Sequence, residues 1–252
     1  KILIPVHFAG NPTNQEAIHK LSKKYGFKII EDASHSLGSS NKSNKIGSCK
    51  FSDITVFSFH PVKSITSAEG GAATTKSYKL YKKMQSFRIH GVENKKNLYN
   101  KSYCAFTQTY LGYNYRLTDI QASLGNSQLK RADEGISKRR IIAEKYKEAF
   151  NNHPQIIDRN EGMSKHHAYH LYIIEVTNRK ELHSFLRENN IFAQIHYIPV
   201  HLMPYYRQKG WKKGDMPNVE AYYLKCISLP IYPTLSIEDQ NMVIKKINAF
   251  YA

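Results

Sequence analysis

The sequence predicts an α/β fold: a mostly parallel sheet with helices on its faces, then a second, smaller α/β domain. Three observations predict it. Short apolar runs alternate with segments of helical period through the first half, the pattern of parallel strands joined by crossover helices. Thr13 with Glu16, and Thr118 with Gln121, have the spacing of capping boxes that open helices. A polar stretch, Asn151 to Lys165, then interrupts the pattern, and strand-like and helix-like segments resume beyond it.

Taken in order, Lys1 to Val6 reads as a buried strand. Ile18, Leu21 and Tyr25 recur at helical spacing after Thr13, and Gly26 ends that helix. Phe27 to Ile30 is a short apolar strand stopping at Glu31 and Asp32. Ile54 to Phe59 is another, followed by a loop with Lys63. Gly71 to Thr75 can form one more, and Tyr78 to Phe87 a helix. Arg88 to Tyr113 reads as a long polar loop, of a length that is commonly functional or mobile. Thr118 opens a helix to about Leu129, and a long amphipathic helix runs to about Phe150. Beyond the expected linker come a strand over Ala168–Val176, a helix over Arg179–Glu188, a strand over Phe192–His196 and a capped helix over Ser236–Phe250. The expected division is 1–130 and 131–252, with the long connecting helix in the second part.

Composition narrows the function classes. The hydrophobic fraction of 41% in 252 residues suits a chain with a real core. No apolar run approaches the roughly 20 residues of a membrane-spanning helix. Lys1–Phe8 lacks the layout of a secretory signal. Cys49, Cys104 and Cys226 are odd in number and far apart, which argues against a disulfide framework or a metal site and for a reducing cytoplasm. The net charge of +17 suggests a nucleic-acid binder, but the lysines are spread along the chain with no basic-aromatic repeat. A solvated basic surface, or a field that draws in an anionic nucleotide diphosphate, accounts for it better.

The segments Glu31–Ser39 (EDASHSLGS) and Phe57–Gly71 (FSFHPVKSITSAEGG) carry the chemistry. Taken singly, Asp32 caps a turn and Lys63 is one more surface lysine. Together they mean more. Both sit at carboxyl ends of strands, where ligands bind in such sheets. A lysine placed behind a buried strand, beside Phe57, Phe59, Pro61 and Val62, loses solvent, and desolvation frees its neutral, nucleophilic amine. A carboxylate on the neighbouring strand end can pair with a cationic ring nitrogen. Pyridoxal 5'-phosphate (PLP) requires such a lysine and such an aspartate.

With these segments, the runs PVHFAG (Pro5–Gly10), FRIHG (Phe87–Gly91), LGYNYRLTDIQASLG (Leu111–Gly125), IHYIPVHLMPYYR (Ile195–Arg207) and LPIYPTLSIEDQ (Leu229–Gln240) resemble the DegT/DnrJ/EryC1/StrS sugar aminotransferases. The resemblance covers the whole chain. It implies the type I PLP-dependent aminotransferase fold and a homodimer with shared active sites. FSFHPVK and PVHFAG look most like the branch that aminates C4 of a UDP-4-keto-6-deoxy-N-acetylhexosamine, the reaction of pseudaminic acid biosynthesis. By position, Lys63 resembles the Schiff-base lysine and Asp32 the partner of the pyridine nitrogen. His35 falls near the phenolic oxygen of the cofactor and Ser58 at its phosphate. Asn114 resembles the residue that reaches the neighbouring subunit's cofactor, and Arg116 suits the substrate diphosphate. His60, His196 and Tyr197 are candidate sugar-nucleotide contacts. The amino donor is expected to be glutamate. Family members carry a further part of the large domain ahead of PVHFAG, so the resemblance implies an N-terminally truncated chain. Two rival readings are an inactive remnant that keeps only dimer and sugar-nucleotide surfaces, and a PLP-dependent sugar dehydratase, in which a histidine replaces the lysine.

Overall fold

The structure is a computed structural model and describes residues 1–93, 107–158 and 166–252. Two compact units emerge, Lys1–His7 with Pro12–Ala132 and Phe8–Asn11 with Asp133–Ala252.

In the first unit, β1 (Ile2–Leu3), α1 (Gln15–Tyr25) and β2 (Lys28–Asp32) are followed by a small hairpin, β3 (Ser40–Asn41) with β4 (Asn44–Lys45). Then come β5 (Ile54–Ser58), β6 (Gly71–Thr74), α2 (Tyr78–Arg88), β7 (Val92–Glu93), β8 (Thr107–Gln108) and α3 (Asp119–Leu129). The main sheet has the order β1-β2-β5-β6. β1 with β2 and β2 with β5 are parallel, as expected; β5 with β6 is antiparallel, so the sheet is mixed. The register places Asp32 opposite Val56 and Ser58 opposite Gly71, which brings the carboxyl ends of β2 and β5 to the same end of the sheet.

Several expectations need correction. Lys1–Val6 is not a buried strand. Ile2, Leu3, Ile4 and Val6 are 62%, 41%, 59% and 49% exposed, because β1 is the edge of the described sheet. Its ladder also breaks at Pro5, which has no N–H to give, and resumes only as a bridge between Val6 and Asp32. The cap of α1 is Asn14, whose Oδ1 accepts from Ala17 N at 3.1 Å; Thr13 instead donates its N–H to His7 Nδ1 at 3.0 Å. The ends of the expected long loop pair as β7 and β8, with Val92 opposite Gln108; its middle, 94–106 with Cys104, lies outside the described residues. The expected linker holds a strand, β9 (Ile156–Asp158), because Ile156 finds a buried place beside Val176; its second half, 159–165, again lies outside the described residues.

The second unit takes α4 (Ala132–Phe150) from Asp133 onward, β9, β10 (Tyr172–Val176), α5 (Arg179–Glu188), the short α6 (Pro204–Arg207), α7 (Pro217–Lys225), β11 (Cys226–Leu229) and α8 (Ile237–Tyr251). Its antiparallel sheet runs β11-β10-β9. Helices α4, α5 and α8 cover it, burying Ile142, Tyr146, Phe150, Leu182, Leu186, Val243 and Ile247 against Tyr172, Ile174 and Ile227. Phe192–His196 is not a strand. Only Gln194 exchanges hydrogen bonds with Ser228 (3.1 and 2.7 Å); Phe192 is exposed and Pro199 follows soon after. Among the described residues no helix is long and apolar enough to cross a membrane.

Candidate active site at the strand ends of the first unit

Lys63 lies on the loop that leaves β5. Phe59 closes this loop at its base: its N–H donates to Gly70 O (2.9 Å), and its carbonyl accepts from Ser67 N (3.0 Å) and Thr66 Oγ1 (3.1 Å). A tight turn follows, with Lys63 N donating to His60 O at 2.9 Å. Gly70 has φ of +148°, and a Cβ there would come within 2.6 Å of Ser67 Oγ, so the loop's return needs glycine. The Lys63 side chain is half-buried. Burial lowers its pKa, and the Asp32 carboxylate partly restores it. The apolar cover differs from expectation: Phe57 and Phe59 are half-buried, but Pro61 and Val62 are exposed, Val62 by 61%, and shield little.

Asp32 ends β2, paired on both sides. Its N–H donates to Pro5 O (2.9 Å), and its carbonyl accepts from His7 N (3.0 Å). Its carboxylate does cap a turn, with Oδ1 accepting from Ser34 N at 3.0 Å, and the same group acts electrostatically on Lys63. Capping and chemistry are thus compatible: the turn holds the carboxylate still while its charge reaches the amine. His35 is half-buried in the turn that follows. Ser58 ends β5, half-buried, with Oγ 3.4 Å from His60 N. The His60 side chain is exposed, its Nε2 3.9 Å from Glu69 Oε1.

Asn114 and Arg116 lie on an exposed segment before α3. Asn114 bridges to Ile89, and Arg116 Nη1 lies 3.1 Å from His90 Nε2. Tyr113 and Tyr115 stack at 4.9 Å and are 59% and 71% exposed. The Thr118–Gln121 capping box forms as expected, and Gln121 Nε2 also donates to Glu69 O at 3.2 Å, tying the start of α3 to the loop that carries Lys63.

His196 and Tyr197 belong to the second unit. His196 Nδ1 lies 2.7 Å from Ser228 Oγ, and its carbonyl accepts from Tyr222 Oη at 3.2 Å. Tyr197, 48% exposed, meets Phe8 edge-on at 6.1 Å; burial raises its phenol pKa.

Sequence reasoning missed a nest behind Asp32. Glu31, 1% exposed, accepts from the Gln15 side chain, from Thr55 Oγ1 (2.6 Å) and from Ser52 Oγ (3.0 Å). His7, fully buried, brings Nε2 to 3.8 Å of it. The signal was present: in a period-2 strand, Glu31 must face away from Asp32, and a buried glutamate needs donors.

A half-desolvated amine, a held carboxylate within electrostatic reach and a hydroxyl on the adjoining strand end suit a ligand with a carbonyl at one end and a basic nitrogen at the other. Among the described residues no group of three or more His, Cys, Asp or Glu could hold a metal ion.

The sequence profile of the DegT/DnrJ/EryC1/StrS aminotransferase family matches residues 1–248. The UDP-4-amino-4,6-dideoxy-N-acetyl-beta-L-altrosamine transaminase of Campylobacter jejuni is 35% identical over 94% of the chain and 62% of its own length. The structure of Helicobacter pylori PseC, an aminotransferase involved in the biosynthesis of pseudoaminic acid, superposes with a TM-score of 0.89 at 32% identity, over 98% of this chain and 65% of that one. The PLP form of a putative sugar aminotransferase from Streptococcus pneumoniae gives 0.88 at 28%, over 99% and 68%. The chain spans 62% to 66% of the length of the curated relatives it matches.

Proposed function

This chain belongs to the DegT/DnrJ/EryC1/StrS aminotransferase family, and from that premise we propose that it serves PLP-dependent transfer of an amino group, from glutamate, to the C4 ketone of a nucleotide-linked 4-keto-6-deoxy sugar. The sugar class follows the likeness to the Campylobacter transaminase and to PseC. A UDP-4-keto-6-deoxy-N-acetylhexosamine is the substrate we favour.

When bound, PLP supplies an electrophilic aldehyde and an electron-withdrawing ring. The chain's own residues do the rest. Lys63 would hold the aldehyde through its amine, which burial makes more readily neutral, and the same amine would serve as general acid and base. Asp32 would keep a proton on the ring nitrogen, Ser58 would donate to the phosphate, and His35 would serve the phenolic oxygen. His60 and Arg116 would contact the sugar nucleotide, with Arg116 on the diphosphate, and His196 and Tyr197 are further candidate contacts. Asn114 would reach the cofactor of a second copy.

The homodimer is supported by the surface around Asn114. Leu111 and Ile120 are 86% and 84% exposed, and α3 buries none of its residues; so much exposed apolar surface beside polar reach suits a partner subunit. A cytoplasmic setting is supported by Cys49 and Cys226, both buried free thiols.

The observation that carries the proposal is the placement of Asp32 and Lys63 at the carboxyl ends of the parallel neighbours β2 and β5, with the Asp32 carboxylate held by Ser34 N–H and Lys63 on the turn closed by its N–H to His60 O. Replacing Lys63 by Ala should abolish amino transfer to 4-keto sugar nucleotides with the fold unchanged by circular dichroism. Substantial residual transfer refutes the assignment.

A further inference from the structure

β2 presents two carboxylates to opposite sides. Asp32 acts on Lys63, while Glu31 points into a buried nest formed by His7, Gln15, Ser52 and Thr55. A carboxylate removed from water is costly to hold unless donors surround it, and here the donors come from three places: α1, the turn before β5, and β5 itself. On Glu31, burial raises the pKa, but the nearby His7 ring and the Thr55 and Gln15 hydrogen bonds outweigh it, and the net shift is downward.

His7 is bound to the same strand end by its main chain. Its N–H donates to Asp32 O (3.0 Å), and its carbonyl accepts from Ser36 Oγ (3.0 Å). It therefore clasps the turn that holds Asp32 at both ends. Its ring is oriented too. Nδ1 accepts from Thr13 N–H at 3.0 Å, which leaves the proton of a neutral ring on Nε2; that atom lies 3.8 Å from Glu31 Oε1, near it but without a hydrogen bond.

We propose that Glu31 and His7 are positioning residues for Asp32: a buried carboxylate–imidazole nest on the back of β2 fixes the strand end from which Asp32 faces Lys63. Neither touches the reacting atoms. The role rests on the reading of Asp32 as ring-nitrogen partner, since only there does its placement matter to the chemistry.

The test reads Lys63 directly. The full chain, without added cofactor, is acylated with an amine-reactive reagent across a pH series, and labelling at Lys63 is quantified by peptide mass spectrometry. The sign of the change separates the two possible roles. If Asp32 moves away, Lys63 loses a stabilising negative charge and its labelling midpoint falls. If the fold merely loosens, Lys63 regains water and its midpoint rises toward that of an ordinary lysine. Asp32→Asn should lower the midpoint. Glu31→Gln and His7→Gln should lower it in the same direction by a part of that amount, each half unit giving roughly threefold faster labelling at fixed pH. A midpoint that stays or rises in both variants, while falling in Asp32→Asn, overturns the proposal. So does an unmoved midpoint in Asp32→Asn, because there is then no coupling to position. Should Glu31→Gln not fold, Gln15→Met removes one donor and is read in the same way. Borohydride reduction with PLP is run in parallel. Failure to fix the cofactor on Lys63, with the midpoint shifts intact, removes the cofactor reading and with it the chemical purpose of the placement, while leaving standing that Glu31 and His7 hold Asp32 against Lys63.

Discussion

The two units bury different things. In the second, the fully buried large side chains are mostly apolar or aromatic: Tyr146, Phe150, Tyr172, Ile174, Leu182, Leu186, Ile227 and Ile247, each 2% exposed or less. In the first, Ile29, Ala33 and Ile65 share the interior with His7, Glu31, Ser36, Ser39, Thr55 and Ser67, and α2 buries only Ser86. Apolar burial is strong and non-directional. Buried hydrogen bonds add less net stability but fix geometry, because leaving one unmade is expensive. The second unit is therefore held by volume, and the first, which carries Lys63 and Asp32, by direction.

The comparison predicts where damage falls. Leu186→Ala, in the second unit, should destabilise by about 2–5 kcal/mol in chemical denaturation. A loss well under 1 kcal/mol would mean that its core is not the store of stability described.

A smaller effect, in pH, belongs to the first unit. The Glu31 pKa is lowered on folding, so its contribution is present above the unfolded carboxylate range and is lost as pH falls through the folded value. Thermal melts of the wild type should weaken on acidification more steeply than those of Glu31→Gln. Parallel curves for the two proteins would show that the nest holds no ionised carboxylate.

The smallest effect is at the helix cap. Asn14→Ala should lose about 1 kcal/mol and Thr13→Val appreciably less, since Asn14 Oδ1 makes the cap. The reverse order would restore Thr13 as the capping residue.

What was legible in the sequence was whatever depended on local pattern. The helices over Arg179–Glu188 and after Thr118 and Ser236 appear where period and caps place them, because each signal lies within one element. The placement of Asp32 and Lys63 at neighbouring strand ends was legible because the carboxyl ends of parallel neighbours lie together. What was not legible depended on partners far along the chain. The exposure of β1 is a matter of sheet order, invisible in the run KILIPV. β9 was hidden because its pairing with β10 lies across a polar stretch. The choice between Thr13 and Asn14 turned on His7, which takes the Thr13 N–H. The Glu31 nest joins residues 7, 15, 31, 52 and 55, a set that no spacing rule collects.

The central claim is that one amine and one carboxylate serve the two ends of a single ring, and mapping covalent capture tests it most directly. The protein is mixed with PLP, reduced with borohydride and digested, and the pyridoxyl group is located by mass spectrometry in the wild type and in Asp32→Asn. Capture concentrated on Lys63, and weakened there when Asp32 is replaced, is the result expected of a chain whose other lysines are mostly exposed. Capture scattered over those surface lysines, or unaffected by Asp32→Asn, would contradict it.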